Sequence, residues 1–253
     1  SYGTEVENFY GSLANAYDAQ LFLNTDLTHC FSSGNNGLQG YKSITGNFKQ
    51  SKNSIVLSCI DQNEVIMPFS SKGPAYDGRI KPELTAFSSQ GTSNSTALAT
   101  GIITLMKQHY KTINNVSLTN ALTKAILINS AKDLGETGPD FTYGYGNINA
   151  DKSLKTISEN RIISGNLISG QINSHSITLP ANAKNLKITL VWNDLRAAIN
   201  SNISLVNDLD LEVISADNTT FLPWILNPDL PEQQAVRGKD KINNIEQVTV
   251  ENP

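Results

Sequence analysis

The stretch that most constrains this chain is 90–97, which reads Gln-Gly-Thr-Ser-Asn-Ser-Thr-Ala and leads into an apolar run at 98–110. Glycine and small residues favour a turn, and the apolar positions behind it recur at helical spacing, so a helix is predicted to begin near Ser93. The first backbone N–H groups of a helix lack intrahelical partners and lie at its positive end. A serine there suits a nucleophile whose intermediate carries an oxyanion. The alternative is that Thr92 or Ser93 only caps the helix.

Three further segments accompany this one in a fixed order. They read Phe-Ser-Ser-Gly-Asn-Asn-Gly at 31–37, Phe-Ser-Ser-Lys-Gly-Pro at 69–74 and Asp-Gly-Arg-Ile-Lys-Pro-Glu-Leu at 77–84. Together with Gly-Thr-Ser-Asn-Ser at 91–95 and the later Gly101, they resemble the subtilisin-like serine peptidases. The resemblance implies an α/β fold built on a parallel sheet.

The same resemblance assigns roles to particular residues. It implies that Ser93 is the catalytic nucleophile and that Asn35 is the side-chain donor of the oxyanion hole, with the Ser93 N–H as second donor. The alternative for Asn35 is a turn residue in a left-handed conformation. Substrate binding is assigned to a Ser-x-Gly strand end and to the residues before Asn35, namely Ser1, Gly3, Ser32, Ser33 and Gly34.

A base for Ser93 is not found in this sequence. The family's His-Gly-Thr-His and Asp-Thr/Ser-Gly motifs do not occur, and there are three histidines. His109 lies about 24 Å along the same predicted helix, and His29 about 20 Å along the strand before Asn35. His175 falls in the later β-type region. In subtilases the acid and base precede the Ser-x-Gly strand, so we expect both from an upstream half of the protein.

Two departures from the family pattern concern the delivery of Ser93. The family's proline beyond the nucleophile is Ala97 here, which changes the entry to the helix without removing a reacting group. The connection 85–90 is also shorter than the family's loop. It must still bring Ser93 to the cleft.

The predicted elements indicate two domains. Up to residue 157 a helix at 11–23, strands at 27–31 and 54–60, a candidate strand at 65–69, and helices from 93 and over 118–131 alternate as in α/β proteins. We therefore expect a partial subtilisin-like catalytic domain at 1–157. Both termini are expected to be cuts through a larger protein.

From 158 to 253 short β-type segments at 172–179, 186–192, 209–214 and 245–250 indicate an antiparallel sandwich. The sequences at 187–194, 205–211 and 243–246 resemble the jelly-roll domain that follows the catalytic domain in some secreted bacterial subtilases. This implies a protein that is secreted or at a bacterial cell surface, with a jelly roll incomplete at its C-terminus. Asp194, Asp208 and Asp210 could hold a structural calcium ion, or be solvated carboxylates. The chemistry itself requires no cofactor.

Composition limits the remaining classes. The formal net charge of -4 in 253 residues gives no reason to expect nucleic acid or an anionic membrane as partner. No apolar run approaches the roughly 20 residues of a membrane helix. Cys30 and Cys59 are too few for a disulfide framework, and their apolar surroundings favour two buried thiols over a bridge.

Two functions from different classes stay open at this point. The first is a serine endopeptidase that acts on peptide or protein substrates together with its upstream half. The second is a non-catalytic relative, a surface or assembly module that binds peptide or protein. Asp and His motifs upstream of residue 1 would favour the first, and their absence the second.

Overall fold

A three-stranded parallel sheet organises the N-terminal part of the computed structural model, which describes residues 3–253. Its order is β1 (Cys30–Ser32), β2 (Ile55–Ile60), β3 (Leu84–Phe87). All six residues of β2 are buried, as expected of a central parallel strand with a continuous apolar sequence. The strand predicted at 54–60 is thereby confirmed, and the one predicted at 27–31 begins three residues later.

Two stretches near this sheet differ from expectation. Residues 85–87, which we took for part of a loop, belong to β3 and pair with β2. Residues 65–69, a candidate strand, contribute only an isolated bridge between Ile66 and Ile60, so that prediction is wrong. The chain turns back at 61–64, where the Asp61 N–H donates to the carbonyl of Val65 and the Met67 N–H donates to the carbonyl of Cys59.

Four helices flank the sheet: α1 (Ser12–Leu23), α2 (Thr92–Asn114), α3 (Asn120–Ser130) and α4 (Ala150–Ser158). The first three confirm predicted helices, whereas α4 was not predicted. Helix α2 contacts all three strands and buries Ala99, Ile103 and Met106 against them. Its Leu98 and Leu105 are exposed, so the apolar face is narrower than the spacing suggested.

Helix α1 buries only part of the apolar residues whose spacing predicted it. Leu13 and Phe22 are exposed, and the buried positions are Ala14, Asp18 and Leu21. Asp18 is drawn inward because its carboxylate accepts hydrogen bonds from Tyr10, Ser51 and the backbone N–H of Asn53. A buried carboxylate of this kind is stable only when it is fully hydrogen-bonded.

The C-terminal part is antiparallel. Strands β4 (Asn185–Val191) and β9 (Ile245–Glu251) pair over their full length, which confirms two predicted strands. Two shorter pairs join β5 (Val213–Ile214) to β6 (Thr220–Phe221) and β7 (Trp224–Ile225) to β8 (Val236–Arg237).

Two predicted strands in this part are not formed as expected. Residues 172–179 have no regular structure, because Ile172 and Ile177 face solvent with no sheet to cover them. Of 209–214 only the last two residues are in a strand. Within residues 3–253 these β pairs form three separate two-stranded sheets.

The two parts share one core. Strand β4 packs on α3, where Thr189 donates to the side chain of Asn129 and Lys187 to the carbonyl of Ala131. Ile245 of β9 belongs to the same apolar cluster as Leu57 of β2. No helix within the described residues is long and apolar enough to cross a bilayer.

Lys52 and Asn53, just before β2, form a buried polar junction between these parts. The Lys52 ammonium lies 3.9 Å from Asp18 and 3.3 Å from Asp194, and it donates to the carbonyls of Leu195 and Ser204. All three charged side chains are fully buried.

Asn53 completes the junction through both ends of its amide. Its Nδ2 donates to the carbonyl of Asp194 at 2.8 Å, and its Oδ1 accepts from the Asp194 N–H at 2.9 Å and from Asn244 at 3.1 Å. Its backbone carbonyl accepts from Asn120 at the start of α3. Four separate segments thus meet at two consecutive residues.

Replacement of Lys52 by Met should destabilise the full-length protein by about 3–5 kcal/mol, because it leaves two buried carboxylates without a cation. Denaturant unfolding measures this loss. The exposed Lys241→Met is the matched control and should change stability by less than about 0.5 kcal/mol. Equal effects of the two substitutions would contradict the structural role of Lys52.

Candidate active site

The short connection after β3 turns the chain sharply enough to start α2 at the end of the sheet. The Ser88 hydroxyl accepts hydrogen bonds from the N–H groups of Gln90 and Gly91, and Ser95 donates to the carbonyl of Ala86 at 2.9 Å. Gly91 has φ 153°, which side-chain-bearing residues rarely adopt. The shorter loop therefore still delivers Ser93 to the carboxyl end of β3.

Two alternatives from the sequence are settled at this turn. The N-cap of α2 is Gly91, so the view that Thr92 or Ser93 is only a cap is wrong. Ala97, where the family has proline, is exposed within a continuous helix. The presence of alanine instead of proline at this position leaves the start of α2 intact.

Asn35 follows β1 and contacts the first turn of α2. Its Oδ1 accepts from the Thr92 N–H at 3.1 Å and lies 3.0 Å from the Thr92 hydroxyl. Because a backbone N–H can only donate, this contact fixes the orientation of the Asn35 amide. Its Nδ2, the donor atom, is then on the side away from the Thr92 N–H. A Cβ placed on Gly91 would lie 3.5 Å from that Nδ2, so the donor stands beside the turn that carries Ser93.

The alternative role for Asn35 also fails. Among the described residues Asn35 is not one of those with positive φ, whereas Gly34 before it has φ 119°. The turn is therefore made by Gly34, and Asn35 is left to hold its amide toward α2. The structure brings Asn35 and the start of the Ser93 helix together; their catalytic roles stay predictions.

The residues predicted to bind substrate belong to two segments, the one directly before Asn35 and the N-terminal one. Of the latter, Ser1 lies outside the described residues. Ser32, Ser33 and Gly34 are buried. The backbone of Ser33 bonds to Leu57 and Thr45, and its hydroxyl has no hydrogen-bond partner among residues 3–253. Gly3 is exposed.

Two residues that sequence reasoning missed stand next to this segment. Thr45 donates its N–H to Ser33, and its hydroxyl would lie 2.5 Å from a Cβ on Gly34. The same hydroxyl accepts a 2.7 Å hydrogen bond from Lys49, which is 1% exposed. Burial lowers the pKa of the Lys49 ammonium to about 8. No motif pointed to this lysine, since it lies in an irregular polar stretch.

The three histidines have different surroundings. His29 stacks on Phe31 and bonds to Gln20, and its burial lowers the pKa of the imidazole. His109 bonds to Ser158 of α4, and His175 lies in an exposed irregular segment.

The acidic residues considered for calcium are separated by their surroundings. Asp194 is fully buried, and its carboxylate accepts from the N–H groups of Val206 and Asn207 in addition to its ion pair with Lys52. Asp208 and Asp210 are exposed. Among residues 3–253 there is no group of three or more His, Cys, Asp or Glu side chains placed to hold a metal. Cys30 and Cys59 are free thiols, as expected, although Cys30 is only partly buried.

Comparison with known families gives an independent result. A family model described as the subtilase family matches residues 1–146. This span is more than half of the 253 residues and contains both Asn35 and Ser93.

Two curated relatives come from Dictyostelium discoideum. The serine protease/ABC transporter B family protein tagA is 29% identical over 199 residues, covering 58% of this chain and 11% of the relative. Its counterpart tagD is 24% identical over 274 residues, covering 72% of this chain and 15% of the relative. The chain therefore spans a small fraction of the length of these relatives.

A solved structure supports the fold. The patellamide maturation protease PatA matches with a TM-score of 0.51 at 15% identity, covering 62% of this chain and 61% of that one. At this identity the match shows a common fold and no more.

Replacement of Thr92 by Val tests the contact that positions Asn35. It removes a hydroxyl that lies within 3.3 Å of the Gly34 N–H and 3.0 Å of Asn35 Oδ1. Leaving these buried groups unpaired should lower the free energy of unfolding by about 1–3 kcal/mol. Thr104→Val, whose exposed hydroxyl bonds only within α2, is the control. Equal stability of the two variants in thermal unfolding would show that Thr92 does not hold the loop.

Proposed function

The chain belongs to the subtilase family, and from this premise we propose that it is the nucleophile-bearing part of a subtilisin-type serine endopeptidase. The observation that carries the proposal is the Thr92–Asn35 contact, which aims an amide donor beside the turn of Ser93. Its substrates would be peptides or proteins.

In this mechanism Ser93 attacks the carbonyl carbon of the scissile peptide bond. The oxygen that gains negative charge accepts hydrogen bonds from Asn35 Nδ2 and from the Ser93 N–H, at the positive end of α2. Asn35 is held in place before the reaction, because its Oδ1 is already bound to Thr92. Such preorganised donors need no rearrangement when the charge develops.

The proton of Ser93 requires a base, and we assign base and orienting acid to the upstream half of the same protein. This assignment is supported by the surroundings of the three histidines: His29 bonds to Gln20, His109 bonds to Ser158, and His175 lies in an exposed irregular segment. No cofactor takes part in the chemistry proposed here. A structural calcium ion is not assigned to Asp194, because Lys52 and backbone N–H groups already surround its carboxylate.

For residues 158–253 we propose a jelly-roll domain, which follows the domain at 1–157. The full-length β4–β9 pairing, and the contacts of β6 and β7 with β9, support an antiparallel β architecture. The location, secreted or at a bacterial cell surface, stays a prediction that rests on the resemblance of this region. Fractionation of the native host would test it.

Replacement of Ser93 by Ala should abolish hydrolysis in the full-length protein, lowering the rate by several orders of magnitude. The melting temperature should stay nearly unchanged, since the hydroxyl does not cap α2. Ser89→Ala, at an exposed serine in the connection just before α2, is the control and should keep its activity.

Labelling with a fluorophosphonate probe gives a direct reading of the nucleophile. Wild type and Ser89→Ala should be labelled, and Ser93→Ala should not. A folded wild type that shows neither labelling nor hydrolysis would refute the peptidase and leave the peptide-binding module.

Replacement of Asn35 by Ala should lower kcat about a hundred- to a thousand-fold with little change in substrate binding, as for the loss of one oxyanion donor. Asn36→Ala is the neighbouring control. Steady-state kinetics separates the two effects. A change confined to KM would mean that Asn35 shapes the loop without stabilising the transition state.

A further inference from the structure

Lys49 differs from the other fully buried basic side chains of this protein. Lys52, Arg79, Lys81 and Lys124 each have a carboxylate within 4 Å, whereas within residues 3–253 Lys49 has no ion-pair partner. Its ammonium has one hydrogen bond, to the neutral hydroxyl of Thr45, and lies 5.4 Å from the centre of the Phe48 ring. A buried charge without a counter-charge is unfavourable, so this position calls for an anion.

The position of the ammonium relates it to the candidate site. Thr45 is the link: its hydroxyl binds Lys49, and its backbone N–H binds the carbonyl of Ser33. Ser33 and Gly34 lead directly into Asn35. Thr45 alone therefore lies between the Lys49 ammonium and the segment that leads into Asn35.

Gly3 lies next to the ammonium. A side chain on this exposed glycine would place its Cβ 3.6 Å from Lys49 Nζ and 3.3 Å from the Thr45 hydroxyl. Because Gly3 has no side chain, none of its own atoms fills that space. The unpaired hydroxyl of Ser33 is a second polar group in the same segment.

We propose that Lys49 selects substrates with an acidic residue, glutamate above all, at the position whose carbonyl Ser93 attacks. The inference rests on the proposed function and deepens it. The attacked carbonyl must lie between Ser93 and Asn35, so the side chain of that residue starts near Gly34. Glutamate is long enough to extend from there past Gly3 toward the ammonium, and its carboxylate is the missing counter-charge. The pKa of about 8 leaves Lys49 mainly protonated at pH 7.

The test compares two peptides that differ only in Glu or Gln before the cleaved bond, with the full-length protein. Wild type should show a kcat/KM for the Glu peptide at least about tenfold above that for the Gln peptide, as for a desolvated charge pair. Lys49→Met keeps the length of the side chain and removes its charge, and the ratio should fall to about one. Lys42→Met, exposed in the same loop, should keep the wild-type ratio.

Binding of the same peptides to full-length Ser93→Ala, followed by fluorescence anisotropy, separates this inference from the proposed function. Hydrolysis with equal rates for both peptides and equal binding would overturn the role of Lys49 and leave the peptidase. Absent hydrolysis with tighter binding of the Glu peptide would refute the peptidase and keep the selectivity. Absence of both would refute both. If Lys49→Met does not fold, the wild-type ratio decides.

Discussion

The junction at Lys52 and Asn53 is the interaction on which most of this structure depends. Through it α1, α3 and the region after residue 190 are joined to the start of β2 by hydrogen bonds and ion pairs buried from water. Groups of this kind stabilise only when all of them are satisfied, so the junction specifies one arrangement of the segments. It also fixes the turn Asn47–Gln50, which lies directly before it and carries Lys49. Residues 47–53 thus carry both the junction and Lys49.

The catalytic end of the molecule depends on backbone geometry more than on apolar packing. Gly34 and Gly91 both have positive φ, and they turn β1 and the β3 connection toward each other. Thr92 then binds both Gly34 and Asn35, so the loop and the helix position one another. A short connection is sufficient because the turn at Ser88 and the bond from Ser95 to β3 replace the constraints of a longer loop.

The sequence predicted those parts of the fold that depend on apolar periodicity. The strand at 54–60 and the helix behind Ser93 are found because continuous or periodic apolar residues mark buried faces. Strand β3 was missed since Glu83, which precedes it, reads as a surface residue. In the structure Glu83 is buried between Lys81 and Lys124, at 2.5 and 2.8 Å. Sequence motifs likewise indicated Ser93 and Asn35. Thr45 and Lys49 were not indicated, because their contacts join separate segments of the chain and leave no local sequence pattern.

Glu246 and Lys49 are both buried and have no ion-pair partner among the described residues, but only Lys49 is expected to need an anionic ligand. Burial, with Asp240, Asp210 and Asp208 nearby, raises the pKa of Glu246 to about 8. At neutral pH that carboxyl keeps its proton, so the lack of a partner for its Oε1 leaves no charge unpaired. Burial moves the pKa of Lys49 to a similar value from the opposite side, and a base with that pKa stays charged at pH 7. Burial therefore neutralises the Glu246 carboxyl but leaves the Lys49 ammonium charged. This ammonium lies next to the segment that leads to Asn35.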